Sequence, residues 1–385
     1  MRFPEFTDEW KEYFIRDIAE VTKGVGISKE QRSLFGTPCI LYGELYTTYK
    51  SEVINNIQSK TDIDAKNLVR SKENDVIIPS SGETAIDIST ARCVPYDDVL
   101  LGGDLNIIRL YQNDGRFLSY QLNGVRKLDI ARVAQGSSVI HLYGESLKSL
   151  SVSLPALKEQ QKIVSLLSLI DERIATQNKI IAHLESLIKG LSQIIFKSNV
   201  GWKESTISEI ASVISGGTPD TNIPDFWGGD INWFTPSEIG RTKYINNSYR
   251  TITEEGLKNS SAKLLPPNSI LLSTRATIGE CSICQSICTT NQGFQSLVAI
   301  HVDYEFLYYL IRTKKSELIK KSSGSTFSEI SANEVKQLKI LVPTINIQKQ
   351  IANVLKSVDE KITTETKVLS AYNLQKQMLL QQLFI

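Results

Sequence analysis

One 43-residue stretch decides the fold of this chain: Leu154–Phe196, LPALKEQQKIVSLLSLIDERIATQNKIIAHLESLIKGLSQIIF. Its apolar residues recur at alternating steps of four and three, the seam pattern of a coiled-coil helix. About 40 residues, each rising about 1.5 Å, make a helix about 60 Å long. Because a helix with one apolar stripe must cover that stripe, we expect it to pack on a partner. The seam consists of Ile163, Leu167, Ile170, Ile174, Ile181, Leu184, Ile188, Leu191 and Ile195, with Gln177 as its one interruption.

A second copy of this stretch follows 188 positions later without a gap. Any two heptad helices share apolar spacing, but they do not share proline, glutamine and an Asp-Glu pair at one constant offset. We therefore interpret the second stretch as an internal repeat, and as the partner of the first. The matched polar and proline positions are Pro155 and Pro343, Gln160 and Gln348, Asp171 and Asp359, and Glu172 and Glu360.

The sequence before each long helix also repeats. The segment that begins at Trp10 matches the segment that begins at Trp202. Likewise, the segment at Asn74 matches the one at Asn268, and the segment at Phe117 matches the one at Phe306. The offsets between matched segments vary from 189 to 194 residues, as loop insertions would produce. The predicted order is residues 1–153 as a globular domain, 154–200 as a long helix, 201–341 as a second domain and 342–385 as a second long helix.

The predicted fold class is α+β, of α/β type. Two globular domains are joined by two long helices packed as an antiparallel coiled coil, with an internal pseudo-twofold repeat. Short apolar runs bounded by Gly, Ser, Thr and Pro predict strands, whereas Glu305–Lys320 reads as an amphipathic helix with a basic face. The strand-like runs are Asp75–Ile78, Leu105–Leu110, Ile270–Leu272 and Gln295–Ile300.

Length and composition fit a globular protein with more than one domain. The chain has 385 residues, of which 41% are hydrophobic and 22% charged. Its first residues, MRFPEFTDEWKEYF, lack the apolar core of a signal peptide, and it has no run of about 18 apolar residues to span a membrane. We expect a cytoplasmic protein with no membrane partner.

Charge does not by itself indicate nucleic acid. Residues 1–150 hold 18 Lys and Arg against 21 Asp and Glu, which gives 18 − 21 = −3, and residues 201–340 hold 14 of each. A protein that grips many phosphates alone is usually basic. If this chain binds DNA, a partner must supply much of the phosphate contact.

The sequence contains no catalytic motif. It lacks a G-x-x-x-x-G-K-[ST] phosphate loop and the Asn-Pro-Pro-aromatic or Asp-Pro-Pro-aromatic segment of amino-methyltransferases. Its three histidines, His141, His183 and His301, are not spaced for a metal or a catalytic triad. We predict no catalytic residues in this chain.

Three cysteines lie close together at Cys281, Cys284 and Cys288. Thiolates at this spacing can share a metal ion, but a structural zinc site needs four ligands and only His301 lies nearby. The alternative, small buried side chains on a strand, is favoured, and no metal is predicted.

Several loops rich in aromatic and amide side chains give a weak indication of DNA binding. Residues 225–238 (DFWGGDINWFTPSE) and 289–293 (TTNQG) carry groups that hydrogen-bond bases or phosphates, and Arg275 adds the side chain that most often reads guanine. Trp227 and Trp233 are more often core residues than contacts.

Together these residues resemble the specificity subunit of type I restriction-modification enzymes over essentially the whole chain. Four features carry the resemblance. They are Ser215-Gly-Gly-Thr-Pro219 with Trp227-x-Gly229-x-Ile231-x-Trp233; Leu272-Ser-Thr-Arg275-Ala-Thr-Ile-Gly279 with Asn291-Gln-Gly-Phe294; Ser323-Gly-Ser-Thr-Phe327; and the Pro-x-x-x-x-Gln-x-x-Ile…Asp-Glu signature that opens each long helix.

The resemblance implies two target-recognition domains, each reading one half of a bipartite double-stranded DNA sequence in the major groove. It implies that the helices space the domains and dock two modification subunits, which resemble adenine N6-methyltransferases and would flip out the adenine. Restriction subunits with ATP-driven translocation complete the assembly. S-adenosylmethionine, ATP and Mg²⁺ are then expected in the partner subunits, and no cofactor in this chain.

The resemblance also directs the choice of site residues. The first domain departs from the motifs, with Lys23-Gly-Val-Gly-Ile27 and Ser80-Ser-Gly-Glu83 in place of the second domain's sequences, as expected for domains that read different half-sites. Glu44 aligns with Glu238, and a carboxylate at a base edge would accept from cytosine N4, although a structural cap is the alternative. The predicted DNA contacts are Lys23, Tyr42, Glu44, Ser80, Ser81 and Glu83 in the first domain and Thr218, Thr235, Ser237, Glu238, Arg275, Asn291 and Gln292 in the second.

The polar face of the helices is the predicted partner interface, with a solvated face as the alternative. Its residues are Lys162, Asp171, Glu172, Arg173, Asp359 and Glu360. Two other functions stay open at this point. The chain is a two-lobed coiled-coil scaffold that binds protein or ligand rather than DNA, or it serves another class of restriction enzyme.

Overall fold

The computed structural model describes residues 2–197, 200–322 and 329–384. The segment Ser323–Phe327, which carries one of the four sequence features, lies outside this part of the chain. Contacts divide the chain into two compact units, Met1–Asn178 with Lys367–Ile385, and Lys179–Thr366. Each unit therefore contains one globular domain and part of both long helices, a grouping that cuts across the four segments predicted from the sequence.

The first unit is built on a four-stranded sheet of order β2-β11-β7-β9 and a five-stranded sheet of order β3-β5-β4-β10-β6. Its strands are β1 (Lys11–Phe14), β2 (Ala19–Lys23), β3 (Arg32–Ser33), β4 (Thr37–Ile40), β5 (Ser59–Thr61), β6 (Val69–Arg70), β7 (Asp75–Pro79), β8 (Ser81–Gly82), β9 (Arg92–Val94), β10 (Leu100–Leu101), β11 (Leu105–Leu110), β12 (Ile140–His141) and β13 (Ser151–Leu154). Its helices are α1 (Ile15–Ile18), α2 (Glu44–Thr47), α3 (Ala85–Ile88), α4 (Gly115–Asn123), α5 (Lys127–Val133), α6 (Gly144–Lys148) and the first part of α7 (Leu157–Lys197).

The second unit has a five-stranded sheet of order β15-β22-β19-β20-β17 and a three-stranded sheet of order β18-β16-β21. Its strands are β14 (Lys203–Thr206), β15 (Ala211–Ser215), β16 (Trp227–Phe234), β17 (Tyr244–Ile245), β18 (Arg250–Ile252), β19 (Ile270–Leu272), β20 (Cys281–Cys284), β21 (Cys288–Thr290), β22 (Gln295–Ala299) and β23 (Lys339–Val342). Its helices are α8 (Ile207–Ile210), α9 (Glu254–Lys258), α10 (Tyr304–Thr313), α11 (Lys315–Lys321), α12 (Ala332–Lys336) and the first part of α13 (Ile345–Gln382).

The two units repeat the same topology. The order β2-β11-β7-β9 in the first unit corresponds to β15-β22-β19-β20 in the second, and β1 pairs with β13 as β14 pairs with β23. Asn74 and Asn268 occupy the same turn with φ values of 78° and 70°, in the left-handed region that asparagine tolerates. The predicted internal repeat and the α+β class are confirmed.

The predicted strands lie where the apolar runs placed them, and β22 ends one residue earlier than predicted, at Ala299. The single helix predicted over Glu305–Lys320 is wrong. The chain forms α10 and α11 in its place, with Lys314 as the C-cap of one and the N-cap of the other. The apolar side of α10 is buried in the core, so the predicted basic face belongs mainly to α11, where Lys315, Lys320 and Lys321 lie.

Helices α7 and α13 pack antiparallel within each unit. In the first unit Ile163 and Leu167 share a core with Phe384, while farther along α7 Asp171 reaches Lys376. Residues farther along α7 therefore contact residues nearer the start of α13, so the two helices run in opposite directions. In the second unit Ile188 of α7 shares the core with Leu355 of α13. The predicted antiparallel pairing is confirmed.

The matched glutamines join the start of each long helix to its own domain. Gln160 Oε1 accepts the Asp114 N–H at 3.0 Å, and its Nε2 donates to Pro155 O at 2.9 Å. Gln348 makes the same pair of bonds in the second unit, to Asp303 N–H at 2.9 Å and Pro343 O at 2.9 Å. The shared Pro and Gln therefore reflect one junction built twice.

The matched aspartates form a second junction. The Tyr120 hydroxyl on α4 donates to Asp171 Oδ2 at 2.7 Å, and the Tyr309 hydroxyl on α10 donates to Asp359 Oδ2 at 2.5 Å. Burial raises the pKa of both tyrosines, and the neighbouring carboxylates raise it further. Each hydroxyl is therefore a neutral donor at physiological pH.

The charged residues around these two tyrosines differ between the two units. In the first unit Lys376 of α13 pairs with Asp171 at 2.6 Å and with Glu52. Burial disfavours this ammonium group, but Glu52 and Asp171 outweigh burial and raise the pKa of Lys376. The equivalent position in α7, 376 − 188 = 188, holds the buried apolar residue Ile188.

In the second unit the cation comes from the globular domain. Lys243 donates to the Tyr309 hydroxyl at 2.8 Å and pairs with Glu305, which also binds Lys356 at 3.1 Å. Burial lowers the pKa of Lys243, although Glu305 opposes that shift. The two junctions thus share their tyrosine and aspartate but differ in the source of positive charge.

Replacing Lys376 with methionine should destabilise the first unit by about 3–5 kcal/mol, because the buried Asp171 and Glu52 then lose their ion-pair partner. Amide hydrogen exchange should show lost protection in Gly115–Asn123 and unchanged protection in Tyr304–Thr313. The matched control is Lys361→Met on the same helix, whose side chain is 58% exposed, so its pair with Glu365 should contribute about 0–1 kcal/mol. Equal effects of the two variants would contradict the assigned role of Lys376.

Candidate nucleic-acid interface

The predicted contacts of the second domain lie in turns at one sheet edge. Strand β22 runs antiparallel to β15 and β19, so the ends of β15 and β19 meet the beginning of β22. Strand β16 pairs in parallel with β21, and its end leads to the same edge. The predicted residues there are Thr218 after β15, Thr235 and Ser237 after β16, Arg275 after β19, and Asn291 and Gln292 before β22.

Glycines allow these turns to approach one another. A Cβ on Gly216 would lie 2.0 Å from Asn291 O, and one on Gly217 would lie 2.3 Å from Ala262 N. Only glycine fits such contacts with backbone atoms. The close approach brings Thr218 to Gln292, whose Oε1 accepts a hydrogen bond from the threonine hydroxyl.

Three turns meet around Gly293. A Cβ at this position would lie 3.1 Å from Pro236 Cγ and 3.7 Å from Arg275 Cβ. Gly293 O accepts the Thr274 N–H at 2.8 Å, and Gly293 N–H donates to Asn291 Oδ1 at 2.9 Å. The structure therefore gathers the predicted residues of the second domain into one polar cluster.

The positive charge of Arg275 at this edge is partly neutralised by a carboxylate. Arg275, with a side chain 43% exposed, forms an ion pair of 2.8 Å with Glu329, which is 39% exposed. No sequence signal connects these residues, which lie 54 positions apart. Arg275 Nε is buried, so only the outer part of the guanidinium is accessible, and a nucleic-acid ligand would compete with the Glu329 carboxylate for it.

Glu44 and Glu238 act as structural caps. Glu44 is buried, and its Oε2 accepts the Leu41 N–H at 2.9 Å while its Oε1 accepts from the Ser59 hydroxyl. Glu238 Oε2 likewise accepts the N–H three residues earlier, that of Thr235, at 2.7 Å.

Both oxygens of Glu238 are used, because its Oε1 accepts the Tyr249 N–H at 2.7 Å. The alignment of Glu44 with Glu238 is supported because each carboxylate accepts the backbone N–H of the residue three positions earlier. The structure shows the capping alternative for both glutamates, and Glu44 is buried, whereas a contact of the half-buried Glu238 with a cytosine edge stays a prediction.

The first unit presents the equivalent edge. Strands β2 and β7 end there and β11 begins, with Lys23 exposed at the end of β2 and Ser80 and Ser81 directly after β7. Ser80 is buried, its N–H bound to Asp104 O at 2.8 Å. Ser80 is therefore buried within the edge and stabilises it, whereas the Lys23 side chain is open to solvent.

The remaining predicted residues of the first unit lie beside this edge. The Tyr46 hydroxyl donates to Ser81 O at 2.8 Å, and the Tyr46 ring contacts the half-exposed Tyr42 edge-on at 6.4 Å. Glu83 is exposed in the turn before α3. Gly24, the counterpart of Gly216, has the same close approach, with Gly102 O 2.0 Å from where a Cβ would lie.

Tryptophans and cysteines in the second unit are structural. Trp233 is buried, donates to Gly217 O at 2.9 Å and contacts Trp227 edge-on at 5.0 Å. All five cysteines of the chain are buried, and Cys281, Cys284 and Cys288 lie on β20 and β21, as the favoured alternative predicted. Within residues 2–197, 200–322 and 329–384, no three or more His, Cys, Asp or Glu side chains gather to hold a metal ion.

The predicted partner-interface residues divide into two groups. Lys162, Glu172, Arg173 and Glu360 are exposed on the long helices. Asp171 is buried and bound to Tyr120 and Lys376, and Asp359 is half-buried and bound to Tyr309. The assignment of Asp171 to a surface contact is corrected to an internal role, and Asp359 has the same internal partner.

Sequence comparison identifies the family of this chain. Residues 7–186 and 199–371 each match the family described as type I restriction modification DNA specificity domain. The chain belongs to this family. The two matches correspond to the two halves of the repeat.

Relatives agree with this membership. Over 171 residues the chain is 40% identical to the type I restriction enzyme MjaIX specificity subunit of Methanocaldococcus jannaschii, covering 43% of this chain and 40% of that protein. The putative MjaX specificity subunit of the same organism is 24% identical over 394 residues, covering 94% and 90%. The chain thus matches less than half the length of the first relative and nearly all of the second.

Solved structures share the fold. The S subunit of the type I restriction-modification system of M. genitalium superposes with a TM-score of 0.64 at 17% identity, covering 100% of this chain and 97% of that one. A second structure, from work on complex assembly and conformational transition of the type I system, gives a TM-score of 0.60 at 17% identity, covering 98% and 97%. No helix in the described part of this chain is long and apolar enough to cross a membrane.

Glu44→Ala should destabilise the chain by about 1–3 kcal/mol, because the Leu41 N–H and the Ser59 hydroxyl lose a buried acceptor. The measurement is the shift of the urea-unfolding midpoint of the full chain. Glu83→Ala, at an exposed position of the same edge, is the matched control and should change stability by about 0.5 kcal/mol or less. A stability loss equal to that of the control would contradict the capping role of Glu44.

Proposed function

We propose that this chain is the non-catalytic DNA-specificity subunit of a type I restriction-modification system. Each unit would read one half of a bipartite duplex target. One observation carries the proposal: the same sheet edge appears twice, built on the same glycine approach and the same glutamate cap, with different polar residues displayed. A repeated scaffold with different side chains is what two different half-sites require.

The chemistry of the second edge suits base recognition. Arg275 can donate two parallel hydrogen bonds to guanine, and Asn291 and Gln292 carry amides of the kind that bind adenine. Thr218, Thr235 and Ser237 supply hydroxyls that suit either bases or phosphates. The first edge displays Lys23, Tyr42, Ser81 and Glu83, a different set that implies a different half-site.

Partner subunits would supply what this chain lacks. Its charge is nearly balanced, so we expect weak binding to DNA by the chain alone. S-adenosylmethionine, ATP and Mg²⁺ would act in two modification subunits and in restriction subunits, within the cytoplasm. The residues of this chain would then bind and position DNA without carrying out a reaction.

The long helices offer surfaces on which modification subunits would dock. Within the second unit, Ile180, Leu187 and Ile194 of α7 recur every seven residues and are 39%, 48% and 68% exposed. Within the first unit, Leu374 and Met378 of α13 are 59% and 49% exposed. Neither set belongs to the packed seam, and apolar side chains exposed in a row indicate a protein contact.

The deciding experiment is genome-wide methylation mapping in cells that express the modification subunits with and without this chain. The proposal predicts methylated adenines in one bipartite sequence, found only when the chain is present. Purified complex should also bind a duplex that carries that sequence. If the complex contains the chain yet neither methylates nor binds DNA in a sequence-dependent way, the two-lobed scaffold function replaces this one.

Arg275→Ala should weaken binding of the mapped duplex by about 1–3 kcal/mol and relax selection at one position of one half-site. Arg275→Lys should recover less than half of this loss, because lysine lacks the two-pronged geometry. Binding is measured by fluorescence anisotropy with duplexes changed at single positions. A loss that is uniform over all duplexes would show that Arg275 contacts phosphate instead.

Glu329→Gln provides the matched test of competition. Removing the carboxylate frees Arg275 from its surface ion pair, which contributes about 0–1 kcal/mol, so affinity for the target should rise by up to that amount. In the Arg275→Ala background the same substitution should have no effect. An equal gain in both backgrounds would show that Glu329 acts by repelling DNA rather than by holding Arg275.

A further inference from the structure

The second unit displays one aromatic side chain that the sequence analysis did not select. Tyr249 lies between β17 and β18, and 89% of it is exposed. A tyrosine so open to solvent usually lies in a loose loop, but the backbone here is fixed. The Tyr249 N–H donates to Glu238 Oε1 at 2.7 Å, and the Ser248 N–H donates to Asn232 Oδ1 at 3.0 Å.

The residues on both sides of Tyr249 are also held. The Ser248 hydroxyl donates to Arg250 O at 2.6 Å and accepts the Trp233 N–H at 2.9 Å. The Arg250 guanidinium lies over the Trp227 ring, 3.5 Å from its centroid. The chain therefore presents the Tyr249 ring from a hydrogen-bonded backbone, while the side chains of its neighbours Ser248 and Arg250 contact other parts of the same unit.

Tyr249 adjoins the candidate interface directly. The Glu238 carboxylate that binds its N–H also accepts from the Thr235 N–H and the Thr235 hydroxyl, both at 2.7 Å. The Thr235 hydroxyl lies 3.1 Å from the Ser237 hydroxyl. One carboxylate thus fixes both the predicted contact turn and the exposed aromatic ring.

We propose that Tyr249 contacts the sugar–phosphate backbone of the DNA beside the half-site read by the second unit. The inference rests on the proposed function. A tyrosine ring packs on deoxyribose with little loss of side-chain entropy, and its hydroxyl donates to a phosphate oxygen. Such a contact sets the register of the domain on the duplex and carries no base information itself.

The test uses the full chain assembled with its modification subunits, and a duplex that carries the mapped target. Tyr249→Ala should lower affinity about three- to tenfold, the effect of losing one hydrogen bond together with ring packing. The loss should be the same for the target and for duplexes with one base changed in the second half-site. Tyr249→Phe should retain part of the affinity, because the ring contact stays.

Tyr111→Ala is the matched control. Tyr111 is 66% exposed and its backbone N–H is also bound, to Ile18 O at 3.0 Å, but it follows the end of β11 opposite the candidate edge. This variant should bind as the unchanged chain does. Three results would overturn the inference: unchanged affinity of Tyr249→Ala, a loss confined to particular bases, or failure of that variant to assemble with its partners. Failure of the unchanged complex to bind the target would overturn the proposed function instead.

Discussion

A hydrogen bond between a tyrosine and an aspartate, buried in the first unit and partly buried in the second, fixes each globular domain to the long helices. Tyr120 with Asp171, and Tyr309 with Asp359, join α4 and α10 to α7 and α13 at matched positions of the repeat. Breaking such a bond removes a donor from a carboxylate that is shielded from water, which costs more than the bond itself contributes. This requirement explains why the Asp is shared by the two helices when most of their polar residues differ.

The surroundings of this bond show how a duplicated structure becomes asymmetric. The first unit neutralises Asp171 with Lys376 from α13, whereas the second places Ile188 at that position and takes Lys243 from the domain. The helix-start glutamines and the glycine turns stay the same in both units. The scaffold is therefore constrained in its hydrogen bonds, while the charges and the side chains displayed at the sheet edges are free to differ.

The sequence predicted the architecture well because a constant offset of 188 residues and a heptad seam are one-dimensional signals. It also led to the turn residues that meet around Gly293, since short motifs mark such turns. It did not reveal that Glu44 and Glu238 are caps, because a capping carboxylate and a reading carboxylate look alike without coordinates. The Arg275–Glu329 pair and the open ring of Tyr249 depend on tertiary contacts over long separations, for which a single sequence holds no signal.

The central claim is that two domains read two half-sites at a distance set by the long helices. Its most direct test is to insert four helix-forming residues after Asn178 of α7, which lengthens the helix by about 6 Å and rotates the following part by about 40°. The methylation map of the resulting complex then gives the recognised sequence. We expect both half-sites to stay unchanged and the spacer between them to change. New bases in either half-site with an unchanged spacer would contradict it.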